Sequence, residues 1–155
     1  MNAFSHLTPD GRPSMVDISS KQPTLRTAVA SAVLDCGPDI LAALNEGDIV
    51  TPKGPVFQTA VVAGIQAAKR TDSLIPMCHS LPLDHCSIDI RPDPGARCIQ
   101  LSCTVRTTWR TGVEMEALTG VTMAALTLYD MCKSISHQMV IREIRLVEKT
   151  GGKSS

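Results

Sequence analysis

The chain has 155 residues, of which 43% are hydrophobic and 19% charged, and its formal net charge at pH 7 is +0. These values predict one globular domain with a core of its own, and the balanced charge argues against general binding to nucleic acid or to a membrane surface. Aromatic residues make up only 3% of the chain, too few for a platform that stacks nucleic-acid bases.

The amino-terminal segment, residues 1–23, is rich in Pro, Ser, Gly and Asp and predicts a mobile arm ahead of a single domain, residues 24–155. It contains no apolar run and no basic leader, so it does not resemble a signal peptide, and no stretch of the chain is long and apolar enough to span a bilayer. The six cysteines are scattered through the predicted elements, which favours reduced thiols over a disulfide framework. We therefore expect a cytoplasmic protein.

The first predicted strand, Leu25 to Leu34, mixes small and β-branched residues and ends before Gly37-Pro38. Arg26 is the only charge inside it, and a solvated strand face explains that charge as well as a ligand does. A short helix is predicted from Asp39 and ends near Asn45–Gly47.

A second helix is predicted from Pro55, which suits the first helical position because that position needs no N–H group. The helix carries no charge up to Ala68 and ends at Lys69-Arg70, where cations complement the helix dipole. Lys53 lies at the opposite end, where a cation opposes the dipole. A lysine beside free backbone N–H groups would bind an anion; a solvated loop lysine is the alternative.

The stretch between Ile75 and His85 contains two prolines and a Cys-His pair and predicts a shaped loop. Two cysteines and two histidines here, Cys78-His79 and His85-Cys86, raise the question of a zinc site. Their spacing differs from that of zinc fingers, and adjacent residues can rarely both reach one metal, so we expect no metal. His79 follows a Pro-rich turn, which makes it a candidate for acid–base chemistry or binding.

Two alternating segments follow, His85 to Arg91 and Cys98 to Arg106, separated by the turn signal Asp93-Pro94-Gly95. They predict a β-hairpin. After one more helix, Met139 to Val147 is the last predicted strand. The order β-α-β-β-α-β predicts an α+β, ferredoxin-like sheet with helices packed on one face.

The helix between those strands is predicted to run from Thr111 to Ile135. It has an apolar stripe at i, i+3, i+4 spacing, but no charged residue on any face between Ala117 and Tyr129. An uncharged helix is expected to be covered all round. One face would lie on the sheet, and the opposite face would need a partner.

That second face is predicted to be about 60° wide. It holds Glu116, Met123, Thr127 and Asp130, with the small residues Gly120 and Ala124 on or beside it. Glu116 and Asp130 lie roughly 21 Å apart along the axis, too far for one small molecule to touch both in one chain. Antiparallel packing of two copies about a twofold axis would bring Glu116 of one copy to Asp130 of the other. The alternative is that Glu114 and Glu116 merely complement the helix dipole.

The charged and polar candidates gather around helix ends and loops. They are Lys53, His79, Glu114, Glu116, Asp130, Lys133 and Lys149, with Lys153 a further point charge near the end of the chain. Several lysines with a few carboxylates suit a polyphosphate substrate and proton transfer.

These residues lie in segments that resemble one known family. MVDIS, KGPVF, AGIQAAKRT, LIPMCHSL, TGVEMEALTGV, LYDMCK and EKTGGKS occur in this order and cover nearly the whole chain from Met15. Together they resemble the molybdenum cofactor biosynthesis protein C family, the cyclic pyranopterin monophosphate synthases. Three short departures from the family pattern are Ser80, Pro55 and the terminal Ser154-Ser155.

The resemblance implies a ferredoxin-like fold, a homohexamer built as a trimer of dimers with the active site at the dimer interface, and no cofactor. It implies a lyase that acts on a GTP-derived small molecule, 3′,8-cyclo-7,8-dihydroguanosine 5′-triphosphate, and releases diphosphate. A nucleotide-binding regulatory module without catalysis is the alternative, since fold alone does not fix function.

The resemblance also assigns residues. The catalytic aspartate and lysine of the family fall on Asp130 and Lys133. The substrate-binding residues that the resemblance implies are Lys53, Met77, Cys78, His79, Glu114, Met115, Glu116 and Lys149. We add two further cations, Arg26 and Lys69, as candidate substrate-binding residues.

Overall fold

The computed structural model describes residues 4–152. In chain order its elements are β1 (Thr24–Asp35), α1 (Gly37–Ala42), β2 (Leu44–Asn45), β3 (Asp48–Thr51), β4 (Gly54–Pro55), α2 (Val56–Lys69), α3 (Thr71–Leu74), β5 (His85–Asp93), β6 (Cys98–Trp109), α4 (Glu114–Cys132) and β7 (Val140–Thr150). No helix in the range 4–152 is long and apolar enough to cross a membrane.

The main sheet has four antiparallel strands in the order β5-β6-β1-β7. The two central strands pair along their whole length, from Thr24 opposite Trp109 to Asp35 opposite Cys98. This is the predicted β-α-β-β-α-β arrangement, so the α+β, ferredoxin-like fold is confirmed.

The core lies between this sheet and the helices. Alternate residues of β1 and β6 point to one side and are buried, as the alternation of the sequence predicts. They are Ala28, Ala30, Ala32 and Leu34 on β1 and Ile99, Leu101, Cys103 and Val105 on β6. The helix α4 covers them with its own apolar stripe, which includes Val121, Ala125 and Leu128.

Several local predictions differ from the structure. Pro55 has extended backbone angles and precedes α2 as its N-cap residue, so it is not the first helical residue. The long helix is shorter than predicted and runs from Glu114 to Cys132. The small sheet β2-β3-β4 was not predicted, because strands of two to four residues are too short to show alternation.

Packing of α2 against α4 depends on two glycines. A Cβ atom added to Gly64 would lie 2.9 Å from the backbone oxygen of Gly120 and 2.9 Å from the Ile88 side chain. Gly120 and Ala124 are buried in this contact layer within one chain. The prediction that these two small residues belong to a free face of α4 is therefore wrong, because α2 already covers that side.

An uncovered stripe nevertheless remains on α4, and apart from Asp130 its residues differ from those predicted, since Glu116 is buried. Successive residues of a helix are rotated by about 100° around its axis, and on that basis five residues of α4 lie within a sector of roughly 80°. They are Met115, Thr119, Thr122, Leu126 and Asp130, which we call the outer stripe. Leu126 is 50% exposed and Met115 39% exposed, and no charge interrupts the stripe before Asp130. The outer stripe therefore has the composition of a face that another surface covers.

The contact between the two glycines is testable by substitution. Gly64→Val would force the crossing helices apart, since the obstructing atom is backbone, and we expect a loss of at least about 2 kcal/mol in the free energy of unfolding. Gln66→Val places the same side chain on an exposed position of α2 and should change stability by no more than about 0.5 kcal/mol. Urea unfolding at one fixed protein concentration measures both, and equal stability of the two variants would contradict the packing described.

Candidate active site

The candidate residues form two groups at opposite ends of α4. The group at the carboxyl end centres on Asp130. Lys133 Nζ donates to Asp130 Oδ1 at 2.7 Å, and Lys53 Nζ donates to Asp130 Oδ2 at 3.1 Å. Lys53 reaches this position from the turn between β3 and β4, where its backbone N–H donates to the Thr51 hydroxyl at 3.2 Å. The structure thus brings Lys53 to Asp130 and Lys133, which lie 77 positions and more along the chain from it.

The two lysines determine the charge state of Asp130. Hydrogen bonds from Lys133 and then Lys53 lower the pKa of the Asp130 carboxyl, and Asp130 in turn raises the pKa of Lys133. A carboxylate in the last turn of a helix opposes the helix dipole, and the two ammonium groups offset that cost. At neutral pH the group is an ionised carboxylate between two cations, able to accept a proton while the lysines bind anionic oxygens. The Asp130 side chain is about half exposed in the single chain.

The predicted anion site at the start of α2 is not free. The carboxylate of Asp48 accepts hydrogen bonds from the backbone N–H groups of Phe57 at 2.7 Å and Gln58 at 3.3 Å. Because a side chain of the same chain already caps these donors, Lys53 does not share an anion with them. Its partner is Asp130 instead.

The second group surrounds a cavity of about 180 Å³ at the amino end of α4. Six predicted site residues line it: Met77, Cys78, His79, Glu114, Met115 and Glu116. The loop between α3 and β5 provides the first three, and the first turn of α4 provides the others. The predicted Cys-His and Met-Glu segments therefore do meet at one place.

Glu116 is the buried acid of this cavity and is only 5% exposed. Burial, with added repulsion from Glu114 and Asp72, raises the pKa of Glu116 to about 7. The group is thus poised to exchange a proton near neutral pH. Burial and the charge of Glu116 also raise the pKa of the Cys78 thiol, so that side chain stays protonated and is not a thiolate nucleophile.

Two cations lie at one end of the sheet, and one of them pairs with a residue that lines this cavity. Lys149, near the end of β7, forms an ion pair with Glu114 at 3.2 Å. Arg26, near the start of β1, donates from Nε to the Trp109 carbonyl at 3.2 Å, and its guanidinium lies against Gly152, where any Cβ atom would collide with it. The pairing of β1 with β7, in which Ala28 lies opposite Lys149, therefore brings both cations to the same end of the sheet.

One predicted residue lies apart from both groups. Lys69 lines a separate surface cavity of about 420 Å³ with His85 and Cys86, and Leu81 borders both this cavity and the one that contains Glu116. Lys153 lies outside the described residues. Among residues 4–152, no group of three or more His, Cys, Asp or Glu side chains could hold a metal ion, and all six cysteines are free.

Sequence reasoning missed four residues that line the cavity: His6, Leu81, Thr111 and Gly112. Gly112 leaves room for the Glu114 carboxylate, which any Cβ atom at that position would contact. Leu81, Thr111 and Gly112 lie in the segments LIPMCHSL and TGVEMEALTGV, beside predicted site residues. Nothing in the sequence around His6 indicates that it meets the cavity.

The raised pKa of Glu116 predicts a pH-dependent loss of stability. Below its usual value of 4.5 the group is protonated in both folded and unfolded states. As pH rises toward about 7 the unfolded state ionises first, so the free energy of unfolding falls across this window and the cost is constant above it. Each pKa unit corresponds to ~1.4 kcal/mol. Over this range the free energy of unfolding of the wild type should therefore fall by up to about 3 kcal/mol relative to that of Glu116→Gln.

Urea unfolding of both proteins between about pH 4.5 and about pH 7.5 measures this difference directly, because contributions of other groups cancel. Glu148→Gln, at an exposed position of β7, is the matched control, and its free energy of unfolding should stay within about 0.5 kcal/mol of the wild type. A difference between wild type and Glu116→Gln that stays constant with pH would contradict the assignment.

Comparison with known proteins agrees with the segments picked out in the sequence. The MoaC family model matches residues 15–152. The cyclic pyranopterin monophosphate synthase of Roseiflexus sp. (strain RS-1) is 51% identical over 154 residues, 99% of this chain and 96% of the relative. The synthase of Pelobacter propionicus is 52% identical over 151 residues, which are 97% of this chain and 93% of the relative. The synthase of Nostoc sp. is 53% identical over 151 residues, which are 97% of this chain and 89% of the relative. The resemblance is thereby confirmed, and the chain belongs to the MoaC family.

Proposed function

We propose that this protein is a cytoplasmic cyclic pyranopterin monophosphate synthase of molybdenum cofactor biosynthesis. It converts 3′,8-cyclo-7,8-dihydroguanosine 5′-triphosphate into cyclic pyranopterin monophosphate and diphosphate, as a phosphorus–oxygen lyase without a cofactor. The observation that carries the proposal is the ionised carboxylate of Asp130, hydrogen-bonded to two lysines. Such a cluster supplies both a proton acceptor and cationic donors for phosphate oxygens.

The residues divide the chemistry between them. Asp130 and Lys133 exchange protons while the guanine-derived ring is opened and rebuilt as a pterin. A sugar hydroxyl then attacks the α-phosphorus, a new P–O bond closes the cyclic phosphate, and the bond to the leaving diphosphate breaks. Lys53 and the two cations at the end of the sheet, Arg26 and Lys149, stabilise the negative charge that develops on the diphosphate.

We further propose that two subunits share each active site. The cavity of about 180 Å³ is smaller than the ~300–1,000 Å³ of typical small-molecule sites, so it can hold only part of a nucleoside triphosphate. Asp130 lies at the other end of α4 and is open to solvent in the single chain. A complete site therefore needs the cavity of one subunit and the Asp130 group of another.

The outer stripe provides the surface for that assembly. It begins at Met115, which lines the cavity, and ends at Asp130. Two stripes packed antiparallel about a twofold axis would bury Leu126 and bring each cavity to the Asp130 group of the partner. Three such dimers would complete the proposed homohexamer.

Release of diphosphate distinguishes the proposed enzyme from the alternative, a regulatory module that binds nucleotide without catalysing a reaction. The purified protein is incubated with the cyclised substrate, and both bound substrate and free diphosphate are measured. Stoichiometric binding without diphosphate release would overturn the proposed activity and leave the regulatory module.

Asp130→Asn keeps the size of the side chain but removes its ability to accept a proton. We expect turnover to fall by at least about a hundredfold, the lower end for loss of a general acid or base, while substrate binding changes little. Asp89→Asn is the matched control, because Asp89 is also an exposed carboxylate paired with a cation, Arg91 at 2.8 Å, outside both groups. Turnover of Asp130→Asn within a few-fold of the control would show that Asp130 is not the catalytic group.

A further inference from the structure

The amino-terminal arm contributes to the cavity. Residues 4–23 precede the domain, yet His6 lines the cavity with Cys78, Met115 and Glu116. No motif in the sequence marks His6, and none of the roles described above uses it. An imidazole in a cavity that already holds an acid of raised pKa is a hydrogen-bonding group with access to whatever the cavity binds.

A small turn holds His6 in place. Leu7 pairs with Pro13 in an antiparallel bridge, the Ser14 backbone N–H donates to the His6 carbonyl at 2.8 Å, and the Thr8 N–H donates to the Arg12 carbonyl at 2.9 Å. The Thr8 hydroxyl adds a bond to the Asp10 carboxylate at 2.5 Å. These contacts close residues 6–14 into one unit and fix the position of the His6 backbone beside the cavity.

A second contact fixes the arm to the site. Nε2 of His79 lies 2.5 Å from the backbone carbonyl of Val16. A carbonyl can only accept, so Nε2 of His79 carries a proton and donates to Val16. The arm therefore orients one cavity histidine through Val16 and provides another through His6.

We propose that His6 is a substrate-binding residue of this site, presented by the arm. This inference rests on the proposed function and adds to it a contact that comes from outside the ferredoxin-like domain. The imidazole of His6 donates a hydrogen bond to the part of the triphosphate substrate held in the cavity of its own subunit. The contact contributes to affinity and leaves the proton transfers at Asp130 unchanged.

Imidazole NMR tests the contact directly. Histidine-selective ¹³C labelling gives signals from only four side chains, which can be assigned by single His→Gln variants. The full-length Asp130→Asn protein is titrated with the cyclised substrate, so that binding occurs without turnover. We expect the His6 and His79 signals to shift together at saturation, while the signal of His85, which lines the other cavity, stays in place.

Kinetics then separates binding from a merely structural role of the arm. His6→Gln should raise KM about tenfold, the loss of one hydrogen bond to a charged ligand, with kcat within a few-fold of wild type. Phe4→Ala, at an 82% exposed position of the same arm, should leave both constants unchanged.

The outcomes are distinguishable. A shift of His79 without a shift of His6, or an unchanged KM for His6→Gln, would overturn the role of His6 and leave the proposed function standing. If neither histidine shifts and the wild type releases no diphosphate, the proposed function fails and this inference fails with it.

Discussion

The length of α4 is the constraint on which the proposed site depends. A helix rises 1.5 Å per residue, so Glu116 and Asp130 are held roughly 21 Å apart along its axis. Close packing of α2 at Gly64 and Gly120 and burial of the opposite face on the sheet keep the helix in place. The two groups cannot approach each other within one chain, and only the outer stripe connects them.

Each group places a carboxylate in a different environment. Glu116 forms no ion pair with any cation in the described range 4–152, and its burial raises its pKa to about 7. Asp130 is hydrogen-bonded to Lys133 and Lys53, which lowers its pKa. Carboxyl groups whose pKa values are displaced in opposite directions are suited to act as acid and base in one reaction. In the proposed dimer, Glu116 of one subunit and Asp130 of the other lie in the same site, although within one subunit they lie at opposite ends of α4.

The sequence predicts much of this arrangement because its periodic patterns are long. Alternation along β5 and β6, the small and β-branched composition of β1 and the uncharged run within α4 are enough for the fold and for the separation of Glu116 from Asp130. The family resemblance supplied the pairing of Cys78-His79 with Met115-Glu116, which the structure brings together around one cavity.

Other features depend on contacts between residues that are distant in the chain. The hydrogen bond from Lys53 to Asp130 joins residues that are 77 positions apart in the chain. Asp48 caps α2, but in the sequence it cannot be distinguished from any other aspartate in a loop. Gly120 was assigned to a free face because a helical pattern does not say which neighbour covers each side. His6 lay in a segment predicted to be a mobile arm, and the mobility of that segment stays a prediction.

Mixed dimers test the shared site most directly. Inactive Glu116→Ala and Asp130→Asn proteins are co-refolded in equal amounts, and diphosphate release is compared with that of wild type. Random pairing makes half of the dimers mixed, and in a shared-site dimer one site then carries both substitutions and the other neither. The account predicts that about a quarter of wild-type activity returns. Activity no greater than that of the two variants assayed separately would show that each site lies within a single chain, and would contradict it.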